Sequence, residues 1–188
     1  MNNSGKIILD LCGGTGAWSR PYAEAGYDVR NITLPEYDVR TYTPPDNVYG
    51  ILIAPPCDHF ARVGARWWQA KGPSALLDGL SIVDACLRIV FVCDPVWWAL
   101  ENPIGRLKDY LGEPCYKFDP WWFGDAWTKR TWIWGRFTCP LKSIDAVRPV
   151  LVGKPRKRDR TARMSSSWKT QRSITPSGFA RAFFAANP

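Results

Sequence analysis

Lys6-Ile7-Ile8-Leu9-Asp10-Leu11-Cys12-Gly13-Gly14-Thr15-Gly16 decides the fold. Its first half is a short apolar run with β-branched residues, which reads as a buried strand, and its second half is a glycine-rich turn. Ala17 to Ala25 (AWSRPYAEA) then reads as a helix, with Pro21 in its first turns and Gly26 as its stop. Strand, glycine turn and helix in that order make the first unit of a doubly wound, mostly parallel sheet, so an α/β chain is expected. The glycines let the backbone approach a ligand and leave amides at a helix N-terminus free to meet it. The spacing is not Gly-x-Gly-x-x-Gly, so a dinucleotide is not specifically indicated.

Working outward, Tyr27 to Ile32 reads as the second strand. In nucleoside-binding sheets a carboxylate for the ribose hydroxyls often closes that strand. Here Thr33-Leu34-Pro35-Glu36 follows, leaving Glu36 as a substitute. Asp38 is suited either to a base edge or to an ordinary turn. Val48 to Ile53 is a third buried strand, and it stops at Ala54-Pro55-Pro56-Cys57-Asp58-His59-Phe60. Two prolines cannot continue a ladder, so they present Cys57 at the C-terminal edge of the sheet, where ligands gather. A thiol there is a candidate nucleophile, although a lone cysteine is more often a packing residue. Arg62-Val63-Gly64-Ala65-Arg66-Trp67-Trp68 is basic and aromatic, suited to clamping phosphate or to lying solvated at the surface. Ser74 to Val92 carries apolar residues at helical spacing, a helix covering the sheet. Val96 to Leu100 is a further strand that ends on Glu101-Asn102-Pro103. Glu101 is either a cap for residues 104–111 or a protonatable group aimed into the crevice with Cys57.

Tyr116 to Trp127 reads as a tryptophan-rich connection, and Thr128 to Gly135 as a strand led in by basic residues. Lys154-Pro155-Arg156-Lys157-Arg158-Asp159-Arg160, with Arg163, is a dense basic run suited to phosphates. Thr175 to Phe184 opens with a cap and proline and continues as a short amphipathic helix. There is no internal repeat, and 188 residues with 46% hydrophobic content suit one globular domain. The net charge of +8 points to a polyanion, nucleic acid first. Six cysteines without a C-x-x-C pair, alongside a single histidine, argue against zinc. Neither a signal peptide nor a membrane span is recognisable, so reduced thiols and a cytoplasmic protein are expected.

Taken in order, Leu9 to Gly16, Pro55-Pro56-Cys57, Glu101-Asn102-Pro103, Lys129-Arg130-Thr131 and Thr175 to Phe184 resemble the cytosine-C5 DNA methyltransferase family, in its small phage form. The resemblance implies a single-domain, Rossmann-like methyltransferase fold using S-adenosylmethionine. Its cofactor contacts would be Asp10, Cys12, Gly13, Gly14, Thr15, Gly16, Trp18, Asp38 and Pro55. Cys57 would add to carbon 6 of cytosine, a protonated Glu101 would serve N3, and Arg130 would bond O2. Carbon 5 would then take the methyl group. Pro56, Asn102, Arg62, Arg66, Lys129, Arg156, Lys157 and Arg158 would contact the base or DNA, and no metal is implied.

Several positions depart from that pattern. Pro103 replaces a small apolar residue, Asp58-His59 follows the nucleophile, and Thr128 stands where a first arginine belongs. Only the basic insert 136–174 occupies the place of a target-recognition domain, too little to read several bases directly. Short or relaxed sequence specificity, or a helper subunit, is expected. Two rivals are methylation of a free cytosine nucleotide and a non-catalytic nucleic-acid-binding module. An amino-methyltransferase would need an Asn/Asp-Pro-Pro-aromatic signature, and Ala54-Pro55-Pro56-Cys57 has neither end of it.

Overall fold

The protein is described from a computed structural model over residues 3–125, 127–143 and 173–188. Six strands form one mixed sheet: β1 (Ile7–Leu11), β2 (Asp28–Ile32), β3 (Val48–Ile53), β4 (Trp97–Pro103), β5 (Tyr116–Phe118) and β6 (Thr131–Arg136). Their spatial order is β2-β1-β3-β4-β6-β5. The first four run parallel, while β6 is antiparallel to both β4 and β5. Mixed α/β architecture with a mostly parallel sheet is therefore as the sequence leads one to expect.

Helices α1 (Arg20–Glu24), α2 (Trp68–Cys93), α3 (Lys108–Leu111) and α4 (Ser177–Ala186) accompany the sheet, with 3-10 turns at Arg62–Trp67 and Pro120–Phe123. One sheet face packs Leu9, Leu11, Ile51, Ile53 and Leu100 under Val83, Cys86 and Ile89 of α2. The other packs Ile8, Leu52, Ala99 and Ile133 under Tyr22 of α1 and Phe179 and Phe183 of α4. Alternate strand residues thus feed two cores, which makes three layers. No helix among the described residues is long and apolar enough to cross a membrane.

The register sets where the candidate site residues stand. Leu11 pairs with Ile32 and Ile53, and Ile53 pairs with Leu100, so one row crosses the ends of β1, β2 and β3 and reaches Leu100 within β4. Cys12, Ala54 and Glu101 stand one residue beyond that row. The chain leaves β1 for β2 on one side and returns as β3 on the other, so the sheet's switch point lies between β1 and β3.

Four local readings change. α1 begins at Arg20 instead of Ala17, because residues 12–19 are taken up by turns and the Ser19 hydroxyl is donated to Asp10 at 2.6 Å. The stretch Trp68–Cys93 is interrupted at Gly72 (φ 72°, ψ 177°), and the long run resumes at Pro73 close to the expected Ser74. β4 does not stop at Leu100: Glu101, Asn102 and Pro103 pair with Ile133, Trp132 and Thr131. β5 has no counterpart in the sequence reading, since three residues are too few for a period. Of the expected 136–174 insert, residues 136–143, 173 and 174 are described. Arg136 still belongs to β6, the Thr138 backbone exchanges hydrogen bonds with the Asn187 side chain, and Ser143 N–H donates to Trp122.

Candidate active site

Cys57 sits on a loop held from three sides. Ala54 N–H donates to the Leu11 carbonyl of β1 at 2.9 Å. The buried Asn102 amide on β4 donates to the Pro55 carbonyl at 3.1 Å. Further on, Arg62 N–H donates to Ile104 at 2.8 Å and Arg106 N–H to Phe60 at 2.9 Å, lashing the loop to the segment after β4. That contact is close enough that a Cβ at Gly105 would lie 1.9 Å from the Phe60 carbonyl oxygen. Between these ties the Cys57 carbonyl accepts from Phe60 and Ala61, closing a tight turn. Pro55 is buried, Pro56 exposed and Cys57 half-buried.

Glu101 and Lys129 meet beside this thiol. The Lys129 ammonium lies 3.4 Å from the Glu101 carboxylate, with both side chains largely covered at 15% and 12% exposure. Burial pushes the Cys57 thiol above its ordinary range, and the Glu101 carboxylate pushes it further. Lys129 acts in the opposite sense, and Asp58 on the loop itself adds to the rise. The capping alternative for Glu101 fails, because α3 starts after Leu107 with no side-chain cap.

Two further expected site residues do not join Glu101 and Lys129. Arg130 is 67% exposed, with its guanidinium 3.9 Å from Asp119, so it is not among the groups gathered at Cys57. Asn102 is fully buried, and its amide braces the Pro55 carbonyl. Strand alternation within β4 accounts for the pair Glu101 and Asn102, whose side chains point to opposite faces.

At the glycine turn, Asp10 is completely buried beneath the loop. A Cβ on Gly13 would lie 2.3 Å from the Asp10 carboxyl carbon, so only glycine lets the backbone cross there. Burial raises the Asp10 carboxyl to about 6 against the pull of the Ser19 hydroxyl. Cys12 (φ 58°) turns the chain out of β1. A hydrogen bond with the Cys86 thiol lowers Cys12 and raises Cys86. Gly14 and Thr15 are exposed at the turn's crest, and Gly16 (φ 67°) bends the chain towards α1. Trp18 is core, with its ring centroid 5.4 Å from that of Phe183 and 5.8 Å from that of Phe179. Glu36 is exposed, and Asp38 is gripped by Arg40 through its own turn, which holds its carboxyl down at about 2.

Sequence reasoning missed Asn31 at the end of β2. Its amide donates to the Gly14 carbonyl at 2.9 Å, while its buried Oδ1 has no hydrogen-bond partner. An asparagine in a short strand carries no pattern that announces such a contact.

Arg62–Trp67 forms a 3-10 turn beside the Cys57 loop, with Arg62, Val63, Arg66 and Trp67 all exposed. The Arg66 guanidinium lies 5.1 Å from the Trp67 ring, and Arg106 lies 4.3 Å from Trp68 while donating to the His59 carbonyl. Arg156, Lys157 and Arg158 lie outside the described residues. A cavity of about 560 Å³ near the start of α4, lined by Phe123, Asp125, Ser177 and Arg181 among others, shares no residue with this site. The candidate site is the one at Cys57, where Glu101 and Lys129 act on the thiol. No family model matches the chain, and neither does any curated protein.

Proposed function

We propose that the protein transfers the methyl group of S-adenosylmethionine to carbon 5 of cytosine in DNA, with Cys57 as the nucleophile. One observation carries this reading: a thiol and a carboxyl from the ends of adjacent parallel strands converge next to the sheet's switch point. Few chemistries need that pair beside a glycine turn. Methylation of cytosine does, because carbon 5 becomes nucleophilic only after a thiolate has added to carbon 6.

The switch-point residues suit a polar, zwitterionic cofactor. Gly14 and Thr15 are exposed on the turn, and Asn31 of β2, with its unpartnered Oδ1, is bonded to Gly14. Cys12, Gly13, Gly14, Thr15 and Gly16 would hold S-adenosylmethionine, with Pro55 and Asn31 beside them. When bound, that group supplies an electrophilic methyl. The chain's own residues do the rest. Cys57 must lose its proton, and its sulfur then forms a bond to carbon 6 as the C5–C6 double bond breaks. Glu101 serves the ring nitrogen as its electron density rises. Once carbon 5 is methylated, loss of its proton restores the double bond and expels the Cys57 thiolate.

In duplex DNA the base has to leave the stack to reach Cys57. The exposed Arg62, Arg66 and Trp67 border the loop, and they give the departing strand both charge and an aromatic surface. The test is nucleoside mass spectrometry of unmethylated DNA incubated with S-adenosylmethionine and either wild type or Cys57→Ala. New 5-methyldeoxycytidine that vanishes in the variant supports the reading. No product on DNA overturns it, and product on free cytosine nucleotides alone would transfer the chemistry to that substrate.

A further inference from the structure

We infer that Lys129, and not its neighbour Arg130, is the positioning cation of the Cys57–Glu101 centre, holding the Glu101 carboxyl and stabilising the Cys57 thiolate. The inference rests on the methyltransferase reading for its catalytic consequence and on geometry for its assignment.

Lys129 and Arg130 are adjacent cations, so the sequence alone does not say which one faces the site. The backbone decides. Thr131 Oγ1 donates to the Lys129 carbonyl at 2.7 Å, and Ile104 N–H donates to the Arg130 carbonyl at 3.2 Å. Thr131 itself pairs with Pro103, which locks the approach to β6 against the end of β4. With the backbone pinned in this way the two side chains diverge. Lys129 goes inward to Glu101 at 3.4 Å, and Arg130 goes outward towards Asp119.

A largely covered ammonium against a largely covered carboxylate is an ion pair of the kind that is costly to break from one side. The same ammonium acts on Cys57, and the other charged groups acting on that thiol among the described residues are Glu101 from β4 and Asp58 from its own loop. Both of those are acids that oppose the thiolate. Lys129 therefore offsets two negative neighbours when Cys57 gives up its proton. It also stays beside Glu101 while charge builds on the base.

The experiment reads the centre without requiring turnover. The rate of Cys57 carbamidomethylation by iodoacetamide is followed by peptide mass spectrometry across pH, in wild type, Lys129→Gln, Lys129→Arg and Arg130→Ala. Lys129→Gln is expected to move the profile to higher pH and to slow alkylation at pH 8 by about tenfold. Lys129→Arg, which keeps the charge, is expected to restore most of the rate. Arg130→Ala is expected to shift the profile less than Lys129→Gln does. In the methylation assay, Lys129→Gln is expected to lower kcat by roughly a hundredfold, with the smaller effect on KM.

A Lys129→Gln profile that overlays wild type, or an Arg130→Ala shift as large as the Lys129→Gln shift, overturns the inference. A profile that moves as expected in an enzyme whose wild type makes no 5-methyldeoxycytidine upholds the Lys129 assignment and sinks the methyltransferase reading. The two failures are thus separable.

Discussion

Asp10 sits fully buried under the Gly13 backbone, with one oxygen bonded to Ser19 and its carboxyl raised from 3.8 to about 6. The folded protein therefore keeps a proton that the unfolded chain releases, and between about pH 4 and pH 6 stability falls as pH rises. Below that window both states are protonated, and above it both are ionised. A difference of about two pH units corresponds to about 3 kcal/mol. Asp10→Asn keeps an acceptor for Ser19 and titrates nothing. Urea unfolding of both proteins is expected to have the variant gain on wild type by about that amount between pH 4 and pH 6. A constant offset across the window would mean that Asp10 titrates as an ordinary carboxylate. At this scale the sequence was partly legible. Cys57 and Glu101 stood out because each follows a buried apolar run, whereas the choice between Lys129 and Arg130 depends on hydrogen bonds that the chain makes just before β6, to Thr131 and to Ile104.

Strand ends, more than any single residue, bring the site together. β1 and β3 finish in one row beside Leu100 of β4, and the segments beyond that row are tied to each other by main-chain and side-chain bonds. Asn102 is the side chain that joins β4 to the prolines ahead of Cys57. Asn102→Ala leaves the Pro55 carbonyl without that donor in a buried place, which costs about 1–3 kcal/mol. The variant is expected to unfold at lower urea by that margin. Its Cys57 is also expected to be alkylated faster at fixed pH, because a loosened loop hydrates the thiol and lifts the burial that raises it. Lower stability with an unchanged alkylation rate would mean that the Arg62–Ile104 and Arg106–Phe60 bonds hold the loop unaided. The parallel elements were legible because long apolar runs stopped by glycine or proline have one reading. The extension of β4 and the existence of β5 were not, since both depend on pairing with β6, a contact between segments far apart in sequence.

Over the whole molecule, the chain carries a net charge of +8, and a DNA substrate would be met by part of that charge. Charge that contacts phosphates has a signature that charge elsewhere lacks. Each phosphate neutralised releases counterions and adds about 0.9 to the slope of log affinity against log salt. Arg156, Lys157 and Arg158 supply three cations in one run of sequence. Arg30, in contrast, is spent on Asp28 at 2.8 Å on β2. Replacing Arg156, Lys157 and Arg158 together with glutamine is expected to flatten the salt slope by about 2 to 3 units, whereas Arg30→Gln leaves it unchanged. Fluorescence anisotropy of a labelled duplex over roughly 50 to 200 mM salt measures both. If the triple variant binds more weakly at every salt but with the wild-type slope, the run is not in contact with phosphate. The polyanion would then be met by the rim around Cys57, where Arg62 and Arg66 are exposed, and substituting those two arginines would have to flatten the slope instead. A slope that neither set moves would remove the argument from charge to DNA altogether and leave a free nucleotide as the substrate best suited to a chain with so short an insert.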